Sequence, residues 1–189
     1  SGIAMVLAQA AYWSAVPQEE RPHDLLFILT SGHMCGGAGT RGFISAHREL
    51  LENVVLELHL EHAALEHVDR DGKLAPTGQP EPRWWFTTEN PGLEDAVRAA
   101  ISAEDLRRSL IVPPTIFANQ PTTDGGAFHL EGVPLVNFLT APVYLFDSQD
   151  TLDKIDREHL AAITRAAVRV IESTRGTTAR SMREGVRTS

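Results

Sequence analysis

Cysteine is nearly absent: Cys35 stands alone in 189 residues, so an intrachain disulfide is impossible and a cysteine-rich zinc site is excluded. That usage fits a reducing compartment. Basic charge is also scarce, with 17 Lys and Arg against 25 Asp and Glu and a formal net charge of −8, and no run of five basic residues occurs. Nucleic acid is therefore not an expected partner. Apolar runs such as LLFIL and PLV stop far short of the roughly 20 residues that a bilayer needs, and no basic-then-apolar leader precedes a small-residue cleavage site. The expectation is a cytoplasmic protein with no membrane partner. An initiator methionine is missing too: the chain opens SGIAMVLAQAAYW, and Ile3, Val6, Leu7, Ala10 and Ala11 already follow helical spacing. That start points to processing or to a longer parent polypeptide.

What is present reads as one domain of ordinary size. The spacing predicts a helix over 2–16 stopped by Pro17, and the short apolar run DLLFILT predicts a buried strand over 24–30. The Gly-rich loop SGHMCGGAGTRGF then enters a helix from about Gly39 to Leu51. VVLELHL predicts a strand over 54–60, whereas the Asp, Gly and Pro content of DRDGKLAPTGQPEP predicts a loop. RWWFTT predicts a strand over 83–88, followed by a helix over 91–107 with Leu93, Val97, Ala100 and Ile101 on one face. Pro113 and Pro114 demote LIVPPTIF to an edge strand or irregular segment. VPLVNFLT predicts a strand over 133–140, and the spacing of Leu152, Ile155, Leu160, Ile163, Ala167 and Val170 predicts a helix over 151–173. Residues 1–173 are thus expected to form the domain and 174–189 a polar, flexible tail. Strands alternating with helices predict an α/β fold with a largely parallel sheet covered on both faces. Ligands of such sheets bind beyond the carboxyl ends of strands, which gives weight to the polar residues after Thr30, Leu60 and Thr140.

Read in order, FILTSGHMCGGAGTRGF, LHLEH, PTTDGGAFHLEGVPLVNF and FDSQDTLDKID resemble the loops of the co-catalytic di-zinc aminopeptidases. That family of zinc exopeptidases also includes glutamate carboxypeptidase and the peptidase-like domain of transferrin receptor. The resemblance implies a three-layer α/β/α sandwich with a mostly parallel mixed sheet. Ser1 and Gly2 match a Ser-Gly helix start that follows a metal-binding aspartate in the family, and Gly39-Thr40-Arg41 match its Gly-Ser-Arg. The chemical positions differ. His33 and Met34 stand where the family has Glu-Glu, the general base and a zinc ligand, and a thioether is a poor ligand in an oxygen and nitrogen site. Glu61 replaces a ligating aspartate, Gly125 follows Thr123 and Asp124 where the family has histidine, and Phe146 stands in place of a ligating histidine. One competent carboxylate cannot hold two zinc ions.

These departures imply a hydrolase-fold domain with a degenerate di-zinc site, in a binding or assembly role, with no metal ligands and no cofactor unless residues upstream of Ser1 complete a zinc site. The alternative is an active hydrolase. It would be either a metallo-aminopeptidase completed by upstream ligands or a thiol hydrolase in which Cys35 attacks, His33 acts as base and a helix N-terminus lowers the thiol pKa. The candidate catalytic residues are His33, Cys35 and Glu61, and the candidate binding residues are Asp124, Phe146 and Asp150. His33 and Glu61 are expected to face one cleft lined by Phe146. Plainer readings stand beside these: a hydrogen-bonded loop histidine, a small packing cysteine, an Asp150-Thr151 helix cap, and Trp84 and Trp85 as core. LHLEH is not expected to be a three-ligand patch, because a strand puts His59 and Glu61 on one face and His62 on the other. Since the resemblance places strands and a helix before Ser-Gly, an upstream segment or a second chain is expected to complete the sheet, or the chain self-associates as a homo-oligomer.

Overall fold

In the computed structural model, which describes residues 1–187, helix α1 (Gly2–Ala15) is followed by an extended stretch, a 3-10 turn at His33–Cys35, and helices α2 (Ala38–Ala46) and α3 (Arg48–Leu51). Strand β1 (Glu57–Leu60) leads into β2 (Leu65–Arg70), β3 (Lys73–Pro80) and β4 (Arg83–Thr87), then α4 (Pro91–Ala103) and β5 (Ser109–Val112). The order ends with α5 (Gly125–Leu130), β6 (Leu135–Thr140), α6 (Leu160–Ser173) and α7 (Ala179–Glu184). Strands β1, β6, β4 and β5 lie side by side in that order. The β1–β6 and β4–β5 pairs are parallel and β4–β6 is antiparallel. The fold is α/β with a mostly parallel mixed sheet, and β5 is an edge strand that ends just before Pro113. No helix among the described residues is long and apolar enough to cross a membrane.

Every residue of β6 is buried, as the centre of a covered sheet requires. Its alternation sends Val136 and Phe138 into the main core, where Phe138 meets Trp85 of β4 at a ring-centroid distance of 4.9 Å. Met5 of α1, Leu93 and Val97 of α4, and Ile163 and Val170 of α6 close that core. A smaller core joins Ile44 of α2, Leu51 of α3, Phe128 of α5 and Val133. Helix α4 begins where its sequence says it should: the Asn90 side chain accepts the Leu93 N–H at 3.2 Å and Pro91 fills the first turn. Trp84, on the opposite face from Trp85, packs edge-on to Phe117 at 5.5 Å.

Several expectations change. Residues 24–30 are extended but pair with no strand, and Leu26 and Leu29 are 63% and 56% exposed. An apolar run needs a neighbouring edge to become a strand, and the edge nearest to it, β1, lies across an open slot. The expected loop over 69–82 holds most of a hairpin instead, because Asp71 (φ 55°) and Gly72 (φ 75°) both adopt the left-handed conformation that a two-residue hairpin turn demands. The last helix starts at Leu160 rather than 151, so Asp150 and Thr151 do not cap it. Residues 152–154 form a 3-10 turn, Ile155 bridges to Ala64, and Asp156 is drawn inward to Arg83. Within the polar segment after Ser173, α7 is capped reciprocally by Thr178 and Ser181 and buries Met182. The Arg183 guanidinium donates to the carbonyls of Leu51 at 2.7 Å and Glu52 at 3.2 Å. The remainder of that segment, 188–189, lies outside the described residues.

Helix α2 offers a direct check of the packing. A methyl group on Gly39 would lie 2.4 Å from the Ser31 carbonyl oxygen, whereas one on Gly42 meets nothing within 4 Å. Gly39→Ala is expected to destabilise by about 1–3 kcal/mol through overpacking. Gly42→Ala, on the exposed side, is expected to stabilise by roughly 0.5–1 kcal/mol. Thermal denaturation of the two variants reads both signs.

Candidate functional site

The polar side chains gather where the carboxyl end of β1 meets the turn after Thr30 and the start of α5. Glu57 and His59 share a face of β1 by strand alternation. The His59 ring lies between two carboxylates, with Nδ1 3.3 Å from Glu57 Oε1 and Nε2 3.2 Å from Glu61 Oε1. Glu61 falls just beyond the strand, so the alternation no longer governs the next residue. His62 therefore returns to the same carboxylate, with Nε2 3.2 Å from Glu61 Oε2 and Nδ1 3.2 Å from the Thr140 carbonyl. The expected separation of His62 from His59 and Glu61 does not hold.

These contacts fix the charges. Burial alone would lower the His59 pKa, but the hydrogen bonds and charges of Glu57 and Glu61 outweigh it and raise the pKa to about 10. Burial pushes the Glu61 carboxyl up, yet the bond and charge of His59, with smaller contributions from His62 and His33, hold it below its ordinary value. For His62, burial prevails over the pull of Glu61 and depresses the pKa. At neutral pH His59 is therefore an imidazolium beside an ionised Glu61.

A second pair stands beside it, His33 Nδ1 with Asp124 Oδ2 at 3.3 Å. Glycines make this approach possible. A methyl on Gly37 (φ 67°) would fall 2.6 Å from Asp124 Oδ1, and one on Gly125 would fall 3.0 Å from Asn137 Oδ1 and 3.1 Å from His59 Cβ. The Thr123 hydroxyl donates to Asn137 Oδ1. Asn137 is fully buried, and its Nδ2 finds no partner among the described residues.

The structure thus brings together His33, Glu61 and Asp124 of the expected set. Gly125, next to Asp124, lies against His59, which holds Glu61. Of the others, Asp150 reaches only the His62 end of the row. Cys35 is exposed and His33 turns its Nδ1 to Asp124, with no hydrogen bond between thiol and imidazole among the described residues. Phe146 is 75% exposed in a turn with φ 71°. Asp150 lines a separate pocket of about 670 Å³ with Ser1 and His62 and acts on His62 only through its charge. Glu57 and Asn137 were missed, although the alternating charges in ELHLE and the lone amide in LVNFL were visible signals.

The donors present do not fit a zinc pair. Both His59 ring nitrogens face carboxylates, both oxygens of Glu61 face histidines, and Met34 is 74% exposed. Among the described residues no group of three His, Cys, Asp or Glu side chains is arranged to hold a metal ion. Next to the row opens an apolar slot of about 800 Å³ between residues 24–30 and β1, lined by Ile28, Leu56, Leu58, Val6 and Phe128, with Glu57 and His59 among its polar walls. No protein-family model matches the chain, and a search of curated proteins returns no match.

Proposed function

We propose that the chain is a zinc-aminopeptidase-like domain of hydrolase fold, a three-layer α/β/α sandwich, that lacks a working di-zinc centre and serves binding or assembly. The observation that carries this reading is the mutual neutralisation at the strand ends. His59 is clamped by Glu57 and Glu61, His62 sits on Glu61, and His33 sits on Asp124. A zinc hydrolase needs open donors and a bound water of lowered pKa, and here the same residue types are spent on one another. GTRGF, TDGGAF, EGVP and DTLDKID support the family. The two cores, one closed by α1, α4 and α6 and the other by α2, α3 and α5, support the layering. The single cysteine supports a cytoplasmic setting. The open edge of β1 supports completion of the sheet by an upstream segment or a second chain.

Zinc analysis after mild dialysis, together with an assay on aminoacyl amides using the full-length protein, tests this. The expected result is substoichiometric zinc and no turnover. About one firmly held zinc per chain with turnover would restore the metallo-aminopeptidase. Turnover that survives a chelator and disappears in Cys35→Ser would instead establish the thiol hydrolase.

A further inference from the structure

Strand β5 closes the sheet on the side away from β1. The Arg83 N–H bonds the Arg108 carbonyl at 2.8 Å, and the register sets Arg83 beside Ser109 and Trp84 beside Leu110. Alternate residues of a parallel strand bond to opposite sides, so Leu110 and Val112 turn their main-chain groups to β4 while Ser109 and Ile111 turn theirs outward. Neither has another main-chain partner among the described residues.

Natural proteins commonly blunt such an edge with charge, but SLIV carries none. Its free length is set from outside. Arg108 breaks the extended run with φ 57°, and Pro113 has no N–H to offer. Leu110 is 46% exposed and shares a face with Trp84, and Phe117, 63% exposed, packs edge-on to Trp84 at 5.5 Å and Phe86 at 6.1 Å. An apolar stripe thus runs from Phe117 over Trp84 to the edge. Helix α4 leaves it uncovered, since α4 packs on the opposite face with Trp85.

We propose that this edge pairs with the same edge of a second copy of the chain, antiparallel about a two-fold axis through Leu110, so that the two sheets become continuous. Ser109 then exchanges both main-chain bonds with the partner's Ile111, and Ile111 does so with the partner's Ser109, which uses every outward group of these residues. Other registers do worse. An axis at Ile111 would set Ser109 against Pro113, which lacks the N–H, and an axis at Ser109 would set Ile111 against Arg107, beyond the break at Arg108. The axis at Leu110 places that side chain against the partner's Leu110, with Cα atoms about 4.5 Å apart, and carries the apolar stripe into its counterpart. Arg107 and Arg108 then meet only the partner's Pro113 and the partner's Val112, so like charges do not oppose.

A free peptide is the poorer occupant, because it would be ordered residue by residue for few hydrogen bonds, whereas a second copy brings its strand already formed. A four-residue edge with three part-exposed apolar side chains is small beside the roughly 800 Å² per partner of a stable interface. The dimer is therefore a weak one, dissociating on the order of 100 μM. This inference goes beyond the function proposed above and does not depend on it, since β5 lies at the edge opposite β1.

Sedimentation of the full-length protein from about 5 to 500 μM reads the association. Leu110→Lys is expected to weaken it at least tenfold while the thermal midpoint of the dilute protein stays unchanged. In a Cys35→Ser background, Leu110→Cys should form an intermolecular disulfide at least tenfold faster than Val112→Cys, because only a residue on the axis meets its own copy. Amide exchange at Ser109 and Ile111 should slow as concentration rises, with Leu110 and Val112 unchanged. A monomer at every concentration, or equal disulfide rates at 110 and 112, would overturn the proposal. A dimer that Leu110→Lys leaves intact would also overturn it and place association at another surface. None of these readouts involves zinc content or turnover, so this proposal and the proposed function fail separately.

Discussion

Replacing Asp156 with alanine is expected to cost about 3–5 kcal/mol of stability, because it strands a buried cation. The Asp156 carboxylate accepts from Arg83 Nη2 at 2.8 Å and lies 2.7 Å from His159 Nδ1, and both Asp156 and Arg83 are about 1% exposed. Arg83 also donates from Nη1 to the Arg107 carbonyl at 2.5 Å, while its Nε finds no partner among the described residues. A guanidinium cannot shed its proton to relieve the loss. The double variant Arg83→Met with Asp156→Ala should recover most of the stability, since replacing both partners of a buried pair with apolar groups is close to neutral. Urea denaturation of the wild type, both single variants and the double variant gives the coupling directly. A loss below about 1 kcal/mol in Asp156→Ala would mean that solvent reaches Arg83 and that the pair behaves as a surface one. The pair matters for the site because it ties the connection before α6 to the first residue of β4, and with it the Ile155–Ala64 bridge just after the row of histidines and carboxylates.

The same pair explains a limit of the sequence reading. Leu152 and Ile155 continue the helical phase of Leu160 and Ile163, so periodicity extends the last helix backward to 151. What stops it is Asp156, whose inward turn to Arg83 is a contact 73 residues apart and leaves no local trace. Residues 24–30 failed for a related reason. An apolar run states that it wants burial between neighbours, and only the tertiary arrangement decides whether a neighbour is there. The hairpin was legible after all, in the Asp71-Gly72 pair, but Pro76 and Pro80 within β3 masked it. Where local signals agreed, as for the Asn90-Pro91 start of α4 or the continuous apolar run of β6, reading and structure coincide.

The site was legible to the extent that it follows from topology. The rule that polar residues collect beyond strand ends gave weight to His33 and Glu61, the resemblance added Asp124, and these lie together. Phe146 and Asp150 came from the resemblance and Cys35 from its thiol in the Gly-rich loop, and loop residues carry no periodicity to say which way they face. Glu57 was overlooked because a charge inside a strand reads as a solvent-facing residue. Here alternation aims it at His59 instead, in a partly buried setting.

That triad carries the other large expected effect. His59 is held as an imidazolium with a pKa of about 10, well above the ordinary value near 6.5 expected in the unfolded chain. A histidine whose pKa is raised on folding contributes stability that is fully present below the unfolded pKa and is lost as pH rises through the folded one. Between pH 7 and 9 the folded chain holds a proton on this ring that the unfolded chain mostly does not, so stability should fall by about 2.5 kcal/mol across that window from His59 alone. His59→Leu at pH 6.5 should cost about 3 kcal/mol, because Glu57 and Glu61 are left partly buried with no cation between them. The same substitution should flatten the pH dependence above pH 7. Urea denaturation at pH 6.5, 7, 8 and 9 on both proteins measures the two effects, and an imidazole NMR titration locates the proton. A His59 resonance that titrates near 6.5, with parallel stability curves for the two proteins, would show that the carboxylates do not grip the ring. His62 would then be free to hold Glu61 alone, and the strand ends would offer an open carboxylate at Glu57.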